Sequence, residues 1–412
     1  MSLVISAWTL DISYTTAMPT VELNIPGRDH GYEIVIEPGA IDTLGEKLAT
    51  IAPHAKAAAI IDNSIEESHG RVAIRALKRG GYDVSVGVVP ASEKLKSLGT
   101  VEELLNVLLD AKLERKSPVV AIGGGIIGDT TGYVAASYLR GVPFVQVPTT
   151  LLSMVDASVG GKVGVNVKQG KNLVGAFHQP VLVCIDTDVL KTLPDRDLRC
   201  GLAECVKHGV IRDPDLFAWI EDNVGRVLNL ESDALVELVE RNVRIKAAVV
   251  MEDEKEQGVR AHLNFGHTFA HAIEASPQAV AKAAEKPRRR FAPPPRFEPP
   301  KPPPEAHAYE GPYAHGEAVS LGMVAATKLA VSTGRCEGVV LDRLVALLDR
   351  IGLPTSSDQL ADTDLLMGIM QADKKVKDGQ VRLVLPDRMG AVSIVNDTPA
   401  DAIAAAWDAI RV

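Results

Sequence analysis

Cysteine is scarce in this chain: four residues in 412, at positions 184, 200, 205 and 336, with no CxxC pair. That scarcity excludes a disulfide scaffold and a cysteine-built structural zinc site, and it points to a reducing compartment, the cytoplasm. A surplus of positive charge is also missing. With 44 Lys and Arg against 53 Asp and Glu, the formal net charge is −9. Neither nucleic acid nor an acidic membrane surface is therefore an expected partner, and an anionic substrate has to be met by a local group of basic side chains. No stretch reaches about 18 uninterrupted apolar residues, which argues against a membrane span. The N-terminal MSLVISAWTLDISYTTAM lacks the basic start and long apolar run of a secretory signal, and Asp11 interrupts its apolar character. Residues 1–17 read as a loose extension, and no internal repeat is evident.

What is present is a chain of 46% hydrophobic and 24% charged residues, enough to bury a large core in about two or three domains. Short β-rich apolar runs (residues 33–36, 57–61, 84–89, 119–122 and 144–147) alternate with helical stretches, which predicts an α/β domain with a mostly parallel sheet over residues 18–194. Beyond Pro194 the apolar spacing lengthens to about 3.6 residues, as in 235–250 and 318–331, and predicts a largely α-helical domain over 195–412. The LKTLPDRDL segment separates the two textures. Residues 280–312, VAKAAEKPRRRFAPPPRFEPPKPPPEAHAYEGP, are expected to form neither helix nor central strand. They read as an exposed insertion, tolerated because loop length is entropically cheap, rather than as a docking ligand for another protein.

Three sets of residues carry chemistry. In SPVVAIGGGIIGDTTGYVAA an apolar run leads into Gly123, Gly124, Gly125 and Gly128 and then into a helix-compatible stretch. Strand, glycine turn and helix start together form a cradle for a pyrophosphate, because the backbone approaches closely and the free amides face the charge. A second stretch, VPTTLLSMVDASVGGKVGVNVKQGKNLVGAF, collects Thr149, Thr150, Asp156, Lys162, Lys171 and Asn172 among glycines, as a polar substrate with anionic groups requires. Beyond residue 195, three patches hold metal-competent side chains: Glu204 with His208, His267 with His271, and His315 with Glu317. Carboxylate and imidazole together suit zinc or a similar divalent ion. His267 and His271, four apart on a helix, share a face and offer a two-ligand clip. Thr268 stands where an HExxH motif needs its glutamate, which removes a metalloprotease reading. Lys207, Lys246 and Arg260 supply a basic lining.

The strings GGGIIGD, YLRGVPFVQVPTTLLSMVDASVGGKVGVN, GKNLVGAFHQP, GLAECVKHG, LNFGHTFAHAIEA, HGEAVSLGM and DKKVKDGQVRLVLP, in this order, resemble the 3-dehydroquinate synthase family of the sugar-phosphate cyclases. The resemblance runs from about Asp62 to Gly390 apart from the Pro-rich insertion. It implies a Rossmann-like N-terminal domain, a helical C-terminal domain, a cleft between them and a homodimer. For the metal, Zn2+ or Co2+, it implies Glu204, His267 and His315 as ligands, and it leaves His271 to contact substrate. For NAD it implies Asp62, the stretch Ser92 to Lys96 with Glu93, the loop Gly124, Gly125, Ile126, Ile127, Gly128 and Asp129, then Thr149, Thr150, Lys162, Lys171 and the turn Val189, Leu190, Lys191 and Thr192. For the substrate it implies Arg140 from a neighbouring subunit, Asp156, Lys162, Asn172, Lys207, Lys246, Arg260, Asn264, His271 and one of Lys374 and Lys375. The implied reaction converts 3-deoxy-arabino-heptulosonate 7-phosphate to 3-dehydroquinate and phosphate. It proceeds by transient oxidation, phosphate elimination, re-reduction and intramolecular aldol closure.

Two departures from the family pattern stand out: the long insertion between His267 and His315, and the substitutions Ala270 for a glycine and His208 for a tyrosine. None removes an expected ligand. Rival readings are another sugar-phosphate cyclase, a metal-dependent polyol dehydrogenase, and a scaffold without activity. Asn264, His271, Arg260 and the DKK run favour the dehydroquinate branch, and the complete set of ligands and lysines opposes the scaffold.

Overall fold

The computed structural model describes residues 19–23, 31–284, 311–372 and 381–412. The extension 1–17, residues 285–310 of the Pro-rich stretch and the lysines of the DKK run lie outside the described residues. In chain order the first strands are β1 (Thr20–Leu23), β2 (Tyr32–Glu37), β3 (Lys56–Asp62), β4 (Asp83–Val89), β5 (Val119–Gly123), β6 (Phe144–Pro148), β7 (Lys162–Val167), β8 (Gly170–Phe177) and β9 (Leu182–Asp186). All but β7 and β8 join one seven-stranded sheet in the order β1-β2-β9-β6-β5-β3-β4. β1 runs antiparallel to β2, and the remaining pairs are parallel.

Helices α1 (Ala40–Ile51), α2 (Arg71–Arg79), α3 (Leu98–Asp110) and α4 (Gly125–Ser137) supply the crossovers. The period-two alternation of β3 divides its side chains between them. Ala57, Ala59 and Ile61 join the core that contains Leu44 and Leu77, whereas Ala58 and Ile60 pack with Leu104 and Val134 on the opposite face. Every residue of β5, β6 and β9 is buried, as parallel strands covered on both faces require. The connection leaving β3 goes outward through α2 to β4, and the one leaving β5 goes the other way through α4 to β6. A crevice therefore opens at the carboxyl ends of β3 and β5, where Asp62 and Gly123 terminate their strands.

From Asp195 the chain is mainly helical: α5 (Asp195–Ile211), α6 (Pro214–Leu228), α7 (Ser232–Glu252), α8 (His267–Ala284), α9 (His315–Ser332), α10 (Gly338–Ile351), α11 (Thr363–Ala372) and α12 (Ala400–Asp408). Asp213 starts α6 by accepting from the amides of Asp215 and Leu216 ahead of Pro214 at the first helical position. α5 is buried from Cys200 to Ile211 and α9 from Ala318 to Thr327, so both run through the interior; α9 is apolar nearly all round, whereas α5 carries the buried Glu204, Lys207 and His208. One core continues from the sheet into these helices.

The five apolar runs read from sequence correspond to β2 to β6. Three features differ from expectation. The polar, glycine-rich stretch after Thr150 folds its second half into the β7–β8 hairpin. A second hairpin, β10 (Leu383–Arg388) with β11 (Ala391–Val395), sits among the C-terminal helices. And α8 continues past Pro277 to Ala284, so VAKAA, the first five residues of the Pro-rich stretch, are helical; Ala and Lys favour helix and the prolines that forbid it begin later.

Candidate active site

The glycine turn closes on itself tightly. A β-carbon on Gly123 would stand 2.7 Å from Ile127 Cγ1, one on Gly124 3.3 Å from Thr150 Cγ2 and one on Gly125 3.2 Å from the Ala157 methyl. Bare backbone is thus required where β5 passes into α4, and the amides of the first turn of α4 have no earlier helical carbonyl to bond. These features fit a dinucleotide pyrophosphate. The acids flanking the turn are anchored. Asp62 Oδ1 accepts from the Ser64 amide at 3.0 Å and its hydroxyl at 2.9 Å, while Asp129 pairs with Lys96 at 2.6 Å. Burial pushes the Asp129 carboxyl up, against the pull of Lys96. The Thr149 amide bonds Gly123 O at 3.0 Å. Val189 and Leu190 are core residues, whereas Lys191 and Thr192 of the same turn are exposed. His69 Nε2 lies 2.7 Å from Thr192 Oγ1, a contact the sequence did not signal.

Across the crevice, Glu204 of α5, His267 at the start of α8 and His315 at the start of α9 converge, with ligand atoms all within 4.8 Å of one another. Glu204 Oε1 is 3.6 Å from His267 Nε2 and 3.7 Å from His315 Nε2. Two donors on a tetrahedral zinc are separated by about 3.4 Å when bonds are near 2.0–2.1 Å, so the spacing fits such an ion. Glu204 is fully buried and neither carboxylate oxygen accepts a well-formed hydrogen bond, although Lys207 forms an ion pair with it. Both imidazoles are oriented through the other nitrogen: His267 Nδ1 lies 3.2 Å from Phe265 O and His315 Nδ1 2.9 Å from Glu274 Oε1. With Nδ1 as donor, each Nε2 faces the shared centre, and against burial the Glu204 and Glu274 carboxylates raise His315 to about 10. Burial opposes the Glu204 charge, yet Lys207 and the two histidines outweigh it and hold its pKa well below the carboxylate range. Burial, reinforced by Lys207, pushes His267 down to about 3. Two nitrogens and one oxygen make a three-ligand set of catalytic type, with room for a further ligand.

Buried charge continues beneath this cluster. Lys246 of α7 pairs with Asp156, whose pKa is lowered because Lys246 and Lys207 outweigh the cost of burial. Arg260, 2% exposed, donates to Glu254 O and, at 3.2 Å, to Gly160 O. Tyr32 accepts from the Gly160 amide at 3.2 Å, and burial raises its phenol to about 12. Glu256, in a left-handed conformation at φ 57°, pairs with Lys162 of β7 and accepts from Asn264 Nδ2 at 2.9 Å. One carboxylate therefore gathers two donors expected to meet substrate. His271 lies edge-on to His267, ring centroids 5.6 Å apart.

Not every expected residue enters the cluster. The His267–His271 clip is replaced by the three-helix set, because α8 turns His267 toward Glu204 and His315. His208 is fully buried and its Nδ1 lies 2.9 Å from Asn242 Oδ1. Glu317 instead pairs with Arg196 and accepts from the Ala314 amide at 2.8 Å, closing the start of α9. Arg140 lies beyond the far end of α4, roughly 20 Å along a 13-residue helix from Gly125. Lys171 and Asn172 are exposed on β8. Lys374 lies outside the described residues. Glu274, Glu256 and Asn166 were not read from sequence. Glu274 has a partial signal, seven residues after His267 and so on its helical face.

Fold and site together define a two-part enzyme in which a dinucleotide crevice faces a divalent-metal centre. The chain matches the family models for the N-terminal part of 3-dehydroquinate synthase over residues 86–200 and for its C-terminal part over 201–281 and 304–376; it belongs to the 3-dehydroquinate synthase family. It is 40% identical over 385 residues to a 3-dehydroquinate synthase of Nostoc punctiforme, covering 93% of this chain and 97% of the relative. Identity to that of Microcystis aeruginosa is 42% over 376 residues, 91% and 93% of the two chains. Among solved structures it resembles 2-epi-5-epi-valiolone synthase of Streptomyces hygroscopicus with NAD+ and Zn2+ bound, at TM-score 0.77 and 26% identity, over 93% of this chain and 97% of that one. A 2-deoxy-scyllo-inosose synthase complexed with carbaglucose-6-phosphate, NAD+ and Co2+ shares the fold, at TM-score 0.79 and 23% identity, over 94% and 99%.

Proposed function

We propose that this chain converts 3-deoxy-arabino-heptulosonate 7-phosphate into 3-dehydroquinate and phosphate, acting as a carbon–oxygen lyase of the shikimate pathway toward aromatic amino acids. The observation that carries the reading is the meeting of Glu204, His267 and His315 across the crevice from the glycine turn, in a chain about 40% identical to 3-dehydroquinate synthases along nearly its whole length. When bound, NAD supplies a transient oxidation and re-reduction of a substrate carbinol, and zinc or cobalt supplies Lewis-acid polarisation.

The chain's own residues do the rest. Glu204, His267 and His315 hold the ion. Gly124 to Asp129, with Asp62, Ser92, Glu93, Lys96, Thr149, Thr150, Lys171 and the 189–192 turn, hold NAD. Lys162, Asn172, Asn264 and one of the lysines at 374 and 375 meet the phosphate. Arg260, Lys246 and Lys207 balance the charge of carboxylate and hydroxyls over Asp156, and His271 moves a proton beside the metal. The enzyme is cytoplasmic and works as a homodimer. Support for the dimer comes from Arg140, which α4 carries far from its own glycine turn and which serves a neighbour's substrate.

The test is to load the purified protein with zinc and NAD, add the heptulosonate phosphate, and follow phosphate and carbocycle together. Equal release of both without net NADH is expected. Net NADH accumulating with glycerol or glycerol phosphate would favour a polyol dehydrogenase, and turnover of another sugar phosphate alone would favour a different cyclase.

A further inference from the structure

Asn166 sits where the β7–β8 ladder breaks register, between Val165 paired with Val174 and Val167 paired with Gly170. The extra residues lie in β8, where Lys171, Asn172 and Leu173 stand between the two pairs while Asn166 alone spans them in β7, so Asn166 has no regular partner across the hairpin. Its backbone amide bonds Lys96 O at 2.8 Å. The side chain uses both ends: Nδ2 donates to Glu93 Oε1 at 2.8 Å and to Glu93 O at 3.3 Å, and Oδ1 accepts from the Asn172 amide at 2.8 Å. Asn172 itself stands at φ 52°, in the left-handed region that asparagine tolerates better than most residues. Lys96 in turn reaches Asp129 at the start of α4.

The side-chain amide thus joins the loop after β4 to the β7–β8 hairpin, and Lys96 carries the link on to the first turns of α4. The loop and α4 belong to the cofactor side of the proposed site and the hairpin to its substrate side. An asparagine bonded at both ends to these loops does more than close a turn, because any displacement of the Glu93 loop is passed through it to Asn172.

We propose that Asn166 is a positioning residue that couples the NAD-contacting loop Glu93–Lys96 to the substrate-contacting turn at Asn172. The inference rests on the functional reading above. Asn166→Asp keeps the acceptor for the Asn172 amide but replaces the donor to Glu93 with a second carboxylate. Pairing it with Glu93→Gln rebuilds the bond in reverse, the new amide donating to the new carboxylate.

The measurements are the NAD dissociation constant by calorimetry on the zinc-loaded full chain, and KM and kcat for the heptulosonate phosphate. In Asn166→Asp the NAD dissociation constant and the substrate KM should each rise about tenfold, the worth of one hydrogen bond to a charged group, while kcat changes far less. The double variant should recover most of both losses relative to Asn166→Asp alone. A purely structural role would lower the melting temperature and the active fraction without moving either constant. Unchanged NAD affinity in Asn166→Asp, or a double variant no better than the single, overturns the coupling. Absence of turnover in the unaltered chain would overturn the functional reading instead, and the calorimetric arm would still decide the role of Asn166.

Discussion

Glu274 shows how much of a metal site can lie outside its ligands. Its carboxylate holds His315 Nδ1 at 2.9 Å, and that hydrogen bond selects the tautomer that faces Glu204. Glu274→Ala should weaken zinc binding about 10–100-fold in a chelator competition, and Glu274→Gln, which keeps an acceptor, should do less harm. His208 carries a different consequence. Burial, aided by Lys207, brings its pKa down to about 4 from an ordinary 6.5. Between those values an unfolded chain takes up a proton that the folded chain refuses, so stability falls as pH falls across that window. His208→Gln should flatten the slope by up to about 1.4 kcal/mol per pH unit, read from urea midpoints of the metal-free protein. At this scale the sequence was informative where chemistry is unusual, as in its histidine and glutamate patches, misleading for His208, which it grouped with the metal-competent side chains, and silent for Glu256 and Asn166. Those roles depend on burial, backbone angle and a bulge that no residue type announces.

The site is assembled by helices that come unusually close. A β-carbon on Gly316 would stand 2.3 Å from the Cα and carbonyl oxygen of Cys200, and one on Gly322 2.2 Å from Gly266 O. α9 therefore lies against both α5 and the entry to α8, and the residues beside these contacts are His315, Glu204 one turn on, and His267. Gly316→Ala must push α9 away from α5. The expected cost is about 1–3 kcal/mol in urea unfolding, with a loss of zinc affinity beyond what the fold loses; unchanged affinity would mean that the close approach does not set the ligand spacing. Elements with a simple pattern were legible from sequence. β3, β5 and β6 are apolar runs ended by glycine, proline or aspartate, α7 keeps a helical period, and α9 is a long apolar run buried on all sides. The β7–β8 hairpin was not, because Gly164 and Gly175 face each other's strands, with a β-carbon on Gly175 only 2.2 Å from Val163 O. Glycines at the closest approach erase the alternation by which a strand is recognised.

For the whole molecule, Arg140 gives the test of association. If it serves the partner's substrate, subunits altered by Arg140→Ala and by Glu204→Ala are each inactive, yet mixed dimers contain one complete site. Random reassortment should restore about a quarter of the original turnover, since half the dimers are mixed and each has one working site; no recovery in demonstrably mixed dimers would place Arg140 outside catalysis. No helix among the described residues is long and apolar enough to cross a membrane. The order of motifs carried the family, whereas the meeting of α5, α8 and α9 did not follow from their spacing, because contacts between positions 204, 267 and 315 are made by tertiary packing alone.

All three proposed metal ligands hang from helices, and the glycine turn belongs to the sheet. None of the three comes from the glycine turn, and the prediction is that ion and nucleotide load separately. Protein depleted of its dinucleotide should keep its cation through gel filtration, and protein stripped by a chelator should still offer an intact cradle, so a cell short of one ingredient can store the enzyme half-charged.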